Sequence, residues 1–297
     1  YEVDGYTYTF TGWDKEIVEV SEDTTYTAQY DEEVNTYNIE YYNGEVKLAG
    51  IEPTTYIYGV GTELQPYEEE GYTFDGWYTT ETFEEDSKVE NISATDFGDK
   101  VLYAKMVVNQ YTITFEENEG TEVTDITADY NSTVTKPEDP TKEGYTFDNW
   151  YTEETFENAY EFTVMPLNGI KLYAKWNANE YTISFEENGG TEVTDITAEY
   201  NSTVTKPVDP TREHYTFDNW YIDEELTTPY EFTTMPLDGI TLYAKWIGDL
   251  HTITWSNIDG TEIYNEEVEY GTLPVYNEET YGVPTYSKDG YTYTFTG

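Results

Sequence analysis

Cysteine is absent from all 297 residues, so no disulfide can staple this chain. That suits a reducing compartment, and equally the bacterial surface proteins that avoid cysteine. Positive charge is scarce: 13 Lys+Arg stand against 62 Asp+Glu, a formal net charge of −49. Such a surface repels phosphate backbones and anionic lipid, which excludes nucleic acid and acidic membranes as partners. No apolar run approaches the roughly 18–20 residues that span a bilayer, so this segment is not expected to insert into a membrane. Histidine occurs twice, as His214 and His251, in different repeats and without Cys or His neighbours, so no zinc set is read here. A Gly-rich phosphate loop and a Ser-His-Asp set are also missing.

Aromatic residues are plentiful. Acidic chains that stay disordered have few of them, whereas here they are 18% of the residues, with 33 Tyr, 12 Phe and 7 Trp. This chain can build cores and should fold.

A long repeat organises the sequence. The stretch Gly144-Tyr145-Thr146-Phe147-Asp148-Asn149-Trp150-Tyr151 closes later with Leu172-Tyr173-Ala174-Lys175-Trp176. Both recur as His214–Tyr221 and Leu242–Trp246, and in weaker form as Gly71–Tyr78 and Leu102–Met106. Tyr111–Trp176 and Tyr181–Trp246 align without a gap and differ at 16 of 66 positions. Three complete repeats are expected at 35–108, 109–179 and 180–249, flanked by the C-terminal half of one at 1–34 and the N-terminal half of another at 250–297. Residues 286–297 match residues 1–12 at ten of twelve positions, which suggests a longer parent with a super-repeat of 286 − 1 = 285 residues. The linker Asn177-Ala178-Asn179-Glu180 lacks Gly-Ser or Pro tracts, so neighbouring repeats should touch.

Within a repeat the signals are for strands. Tyr111, Ile113 and Phe115 alternate with Thr112 and Thr114. A turn follows at Asn118-Glu119-Gly120 (Asn188-Gly189-Gly190 in the next copy). Ile126, Ala128 and Tyr130 give a second strand, with Val123 out of phase as a candidate bulge. Lys136-Pro137-Glu138-Asp139-Pro140 has to be a loop. Tyr145 and Phe147 resume the alternation, and Trp150 falls on the opposite phase, which predicts a bend near Asn149. Met165-Pro166-Leu167 is read as the start of a short helical turn. Leu172, Ala174 and Trp176 then share one face of a last strand. The fold class is mainly β (α+β): a tandem array of domains of about 70 residues, each with about four strands and a short helical turn. Seventy residues is a marginal size for a core, so Trp150 and Trp176 are assigned as its anchors. Trp13 takes the first place in the first half-repeat and Tyr30 lies near the second, and Met106 replaces the second Trp in the first complete repeat.

The combined pattern Tyr-Thr-Ile-Ser-Phe…Asn-Gly-Gly…Glu-Tyr-Asn-Ser…Lys-Pro…Asp-Pro-Thr-Arg-Glu…Tyr-Thr-Phe-Asp-Asn-Trp-Tyr…Leu-Tyr-Ala-Lys-Trp resembles the internalin B-repeat, or Listeria–Bacteroides repeat, along essentially the whole chain. The resemblance implies a β-grasp-like domain in long bacterial surface proteins, used as a stalk or adhesion module, without catalysis. The first complete repeat departs from the pattern by an extra segment, Ile51–Val60, which puts its inter-domain contacts in question.

Several residue sets invite a functional reading and are weighed against a plainer one. The acidic clusters Glu68–Glu70, Glu84–Asp86, Glu116-Glu117, Glu153-Glu154 and Asp223–Glu225 lack the Asp-x-Asp-x-Asp-Gly spacing of a calcium loop and read as solvated faces. Weak, non-specific divalent-cation binding is the expectation, and no cofactor, metal ligand or catalytic residue is assigned. Tyr151 and Tyr173 are candidates for stacking on sugars; cross-strand pairing with Thr is the plainer alternative. Lys105, Lys175 and Lys245 recur in one strand, which raises a Lys–Asn cross-link to Asn149 and Asn219, but Gly76 holds that position in the first complete repeat. Asn131 and Asn201 read as turn residues. The expected function is a structural repeat region of an extracellular, cell-surface protein, a stalk or filament-forming segment. Its partners are copies of itself or neighbouring repeats. An adhesin segment that binds a glycan or a protein is the alternative.

Overall fold

The computed structural model describes residues 2–294; Tyr1 and residues 295–297, the last three of the twelve compared positions, lie outside them. The chain is mainly β. It divides into two compact units. The first takes Tyr1–Asn118, Glu122–Glu138 and Trp150–Ala174, and the second takes Glu119–Thr121, Asp139–Asn149 and Lys175–Gly297. The division runs through the second repeat.

The first unit opens with an antiparallel sheet of Glu2–Val3, Tyr6–Trp13 and Ala28–Val34. Beyond it lies the first complete repeat, where Thr36–Asn43 runs parallel to Lys100–Val108, and Lys100–Val108 runs antiparallel to Tyr72–Tyr78. Thr55–Ile57 pairs with the other edge of Thr36–Asn43. The stretch Ile51–Val60 is therefore no disturbing insertion, because it carries the repeat's second strand. The extra length goes into a small hairpin, where Val46–Lys47 folds back on Tyr42 and Asn43. Ile39, Tyr41, Tyr56, Trp77, Ile92, Leu102 and Ala104 form the core. Burial, with Glu52 nearby, pushes the Tyr41 hydroxyl up to about 12.

The second repeat is built from Gln110–Glu116, Ile126–Asp129, Tyr145–Tyr151 and Ile170–Ala178, in the spatial order second, first, fourth, third. First and fourth strands are parallel, with Ile113 opposite Ile170. The third repeat, in the second unit, repeats this with Glu180–Glu186, Ile196–Glu199, Tyr215–Tyr221 and Ile240–Gly248. A central parallel pair buried between antiparallel edges explains the residue choice. Ile183 and Phe185 of the first strand meet Leu242 and Ala244 of the fourth, over Trp220. Trp150 and Trp220 are fully buried, and Phe115 and Phe185 pack on them at 4.7 Å between ring centroids. Residues 250–294 add a hairpin of Leu250–Ser256 and Glu262–Glu269, a helical turn at Glu278–Tyr281 and a second hairpin.

The bend near Asn149 has a defined form in the sister strands. Opposite Lys105 and Met106 stand Gly76 and Phe74, so Asp75 is the extra residue of a β-bulge. Asp218 is skipped in the same way between Phe217 and Asn219, and Thr11 between Phe10 and Gly12. The bulge is what lets Phe217 and Trp220, three residues apart, both face the core.

Three expectations fail. Met165-Pro166-Leu167 starts no helix: the Gly169 amide donates to the Pro166 carbonyl at 3.1 Å, closing a turn with Asn168 and Gly169 at φ of 64° and 68°. A Cβ on Gly169 would stand 2.1 Å from the Thr112 carbonyl oxygen, so the turn is fixed by close backbone approach. Val123 lies before the second strand rather than in a bulge of it, its amide held by the Glu117 carboxylate at 2.8 Å. Trp13 and Tyr30 are 47% and 44% exposed, not core, because residues 2–34 hold no counterpart of the strand whose Phe185 covers Trp220.

Candidate functional site

One residue joins successive repeats. The fourth strand of the second repeat ends at Ala178 and the next strand begins at Glu180, leaving Asn179 alone between them. Its amide donates to the Gly144 carbonyl (2.9 Å), its own carbonyl accepts the Tyr200 amide (2.7 Å), and its side-chain oxygen accepts the Thr146 hydroxyl (2.6 Å). The same three bonds recur at each joint. Asn35 bonds Gly5, Tyr58 and Thr7, Asn109 bonds Gly71, Tyr130 and Thr73, and Asp249 bonds His214, Tyr270 and Thr216. Each joint lies within a single unit.

The joining tyrosine explains the glycine. A Cβ on Gly144 would stand 2.2 Å from the Tyr200 ring, and on Gly71 and Gly5 it would be 2.0 and 2.1 Å from Tyr130 and Tyr58. Those rings lie flat on bare backbone and meet Tyr145, Tyr72 and Tyr6 edge-on. Where His214 replaces the glycine, it keeps a left-handed φ of 64°, and Tyr270 stacks on its imidazole at 4.4 Å. His251 arrives 6.5 Å from His214 across that joint. The sequence placed these histidines in separate repeats, and the joint brings them together, which only knowledge of the stacking could have foretold. Among the described residues, no group of three or more His, Cys, Asp or Glu is arranged to hold a metal ion.

The sheet face opposite the core carries a second recurring set. The bulge turns Asp75 toward Lys105 (3.0 Å) and Asp218 toward Lys245 (3.9 Å), and Asp148 lies 3.4 Å from Lys175. Tyr78 and Tyr221 donate to the same carboxylates at 2.7 and 2.6 Å, and the lysine ammonium groups lie over those rings at 5.3 and 4.8 Å. The Tyr78 hydroxyl, then Lys105, hold the Asp75 carboxyl down at about 2. The recurring lysine is thus engaged by the Asp of the motif, and Asn219 merely faces Lys245 across the strands. Phe156 meets the Tyr151 ring edge-on at 5.6 Å. Tyr173 is half-buried, with Lys171 over its ring at 5.2 Å.

Some of the acidic clusters hold loops together. The Thr152 hydroxyl, then the amides of Asn158 and Glu157, donate to Glu153, and the amides of Thr227 and Thr228 donate to Asp223, which keeps both carboxyls below the usual range. Asn131 and Asn201 sit in turns at φ of 60° and 61°, their amides bonded to the Met165 and Met235 carbonyls.

Comparison with known proteins accounts for the periodicity. The Listeria-Bacteroides repeat domain matches residues 26–105, 111–175 and 181–245. A protein of Evansella cellulosilytica described as a Gly-rich membrane protein is 35% identical over 283 residues, covering 90% of this chain and 32% of the relative. A second membrane protein of that organism is 36% identical over 268 residues, 88% of this chain and 39% of its own length. Internalin H of Listeria monocytogenes is 39% identical over 127 residues, 41% of this chain and 23% of that protein. The chain therefore spans about a third of the length of the two Evansella relatives. With three matches covering more than half of its residues, the chain belongs to the Listeria-Bacteroides repeat family.

Proposed function

We propose that this chain is a structural repeat segment of an extracellular bacterial surface protein, a stalk or filament-forming element with no catalytic role. The observation that carries this reading is the uniform joint. Four times, one Asn or Asp ties two repeats through the same bonds, and a tyrosine closes over the gap. Repetition of a joint, rather than of a cleft, is what a load-bearing spacer needs. The repeated aromatics support it too: Trp77, Trp150 and Trp220 are taken up in cores and Tyr130 and Tyr200 in joints.

The boundaries 35–108, 109–179 and 180–249 follow the joints at Asn35, Asn109 and Asn179 closely, and we take each span as one small β-grasp-like domain with a turn where a helical segment was expected. A net charge of −49 keeps a crowded array soluble and screens it from its neighbours. Divalent cations act on it only as diffuse counter-ions. Surface location fits the printed descriptions of the relatives, two of them membrane proteins and one an internalin. Protease treatment of intact producing cells tests it. Release of peptides from this sequence without lysis is the expected result, and release only after lysis would overturn the assignment.

A further inference from the structure

The chain holds only two histidines, and the fold brings them to one joint. Both stand where the other joints carry something else. His214 takes the place of Gly5, Gly71 and Gly144, with a φ of 64° beside their 88°, 82° and 79°. His251 takes the place of Tyr37, Tyr111 and Tyr181, each the second residue of its strand. It keeps their spacing: its ring lies 6.1 Å from Tyr270, the separation of Tyr111 from Tyr130 and of Tyr181 from Tyr200. A third exchange falls at the same joint, where Asp249 stands in the position of Asn35, Asn109 and Asn179 and adds a carboxylate. Two imidazoles and an extra negative charge are thus concentrated at one joint of the four.

The geometry suits a shared ion. The rings are 6.5 Å apart between centroids, inclined at 62°, and both residues are exposed. Imidazole nitrogen binds zinc at about 2.0–2.1 Å, so each ring centroid lies about 3.2 Å from the ion, and two centroids about 5.2 Å apart at a tetrahedral angle. The observed separation exceeds that by about 1.3 Å, which rotation of exposed side chains covers. Tyr270 stacks on the face of His214 at 4.4 Å, whereas ring nitrogens bind metal in the ring plane. The Glu213 carboxylate stands 3.5 Å from His214 Nε2 and adds negative charge beside that atom.

We propose that His214 and His251 clamp a divalent transition-metal ion of the zinc class across this joint. Two ligands are fewer than a preformed zinc centre uses, so water fills the remaining positions. The clamp is the one exception to the diffuse counter-ion behaviour proposed above, because calcium and magnesium take oxygen ligands while imidazole selects zinc, copper and nickel. It ties together the two elements that Asp249 already joins, its amide donating to the His214 carbonyl at 2.9 Å and its carbonyl accepting the Tyr270 amide at 2.8 Å. The inference does not depend on where the protein is displayed.

Titration of zinc chloride into the full chain tests it, with calcium chloride at matched ionic strength as the comparison. With two histidines in the chain, NMR follows each imidazole separately. Both should shift together and saturate at a single equivalent of zinc, and calcium should move neither. His214→Gly and His251→Tyr restore the residues of the sister joints, so both variants should fold. Each should weaken zinc affinity at least about ten-fold, since even losing a group that supports a ligand costs that much. At zinc about 100 times above its Kd, exchange of the Asp249 and Tyr270 amides should slow by up to about 100-fold. Zinc that shifts one imidazole or neither overturns the proposal. So does equal affinity in either variant, or an equal imidazole response to calcium. None of these results bears on the protease experiment, so the clamp and the surface location fail separately.

Discussion

Substituting Gly144 with alanine probes the joint at its tightest point. The residue has a φ of 79°, and an added Cβ would sit 2.2 Å from the Tyr200 ring. Holding an L-residue in the left-handed region costs about 1–2 kcal/mol. Moving the ring off its edge contact with Tyr145 forfeits about 0.5–1.5 kcal/mol more. Together these amount to about 1.5–3.5 kcal/mol, or about 10- to 300-fold in the equilibrium for opening the joint. Amide hydrogen exchange reads that opening directly, since the Asn179 amide bonds to Gly144 and the Tyr200 amide to Asn179. Both amides should exchange faster by that factor, while amides of the third-repeat core such as Leu242 stay protected. Gly144→His supplies the control. His214 adopts the same backbone form in the next repeat and is stacked by Tyr270, so histidine should cost less than alanine despite its size. Unchanged exchange at Asn179 and Tyr200 in Gly144→Ala would refute the reasoning, as would equal damage from alanine and histidine.

Further expectations follow from the cores and the charge clusters. Trp220→Ala should remove about 3–5 kcal/mol from the third repeat, seen as loss of its cooperative thermal transition. Trp77→Phe should cost more than Trp220→Phe, because the Trp77 Nε1–H donates to the Gln65 carbonyl at 2.8 Å whereas the buried Trp220 Nε1–H has no acceptor; equal losses would contradict that. The Asp75 carboxyl, held down at about 2, supplies stability above the ordinary carboxylate range, and that contribution fades as pH falls from about 4 toward 2. NMR titration should find it low in the native chain and moved upward in Tyr78→Phe or Lys105→Met. Calcium and sodium at matched ionic strength should raise the melting temperature equally. A jump confined to calcium at stoichiometric amounts would point instead to a specific site.

The sequence carried the features that obey local rules. Trp150 had to be core because a repeat of this length has few other ways to bury area, and its shifted phase announced the bulge seen at Asp75 and Asp218. Asn131 and Asn201 were legible as turns from their neighbours. What escaped depended on contacts across repeats or across strands. Gly144 opens the recurring motif, but nothing local to it shows that Tyr200, fifty-six residues on, lies on it. Lys175 suggested a bond to Asn149, yet it is Asp148 that lies within reach of its ammonium group. Pro166 was read as a helix start, although the Asn-Gly that follows favours a left-handed turn against the Thr112 carbonyl. Trp13 was assigned by analogy with Trp150, without allowing that its covering strand is not among residues 2–34.

The central claim is that joints, not linkers, connect the repeats, and small-angle X-ray scattering of the full chain tests it most directly. The native chain is compared with a variant whose joints are opened by Asn109→Gly and Asn179→Gly together with Thr73→Ala and Thr146→Ala. The account predicts a native maximum dimension that is narrow and insensitive to salt, and a variant whose distance distribution broadens. Native scattering that already matches the flexible variant, shifting with salt as a string of independent beads would, contradicts it.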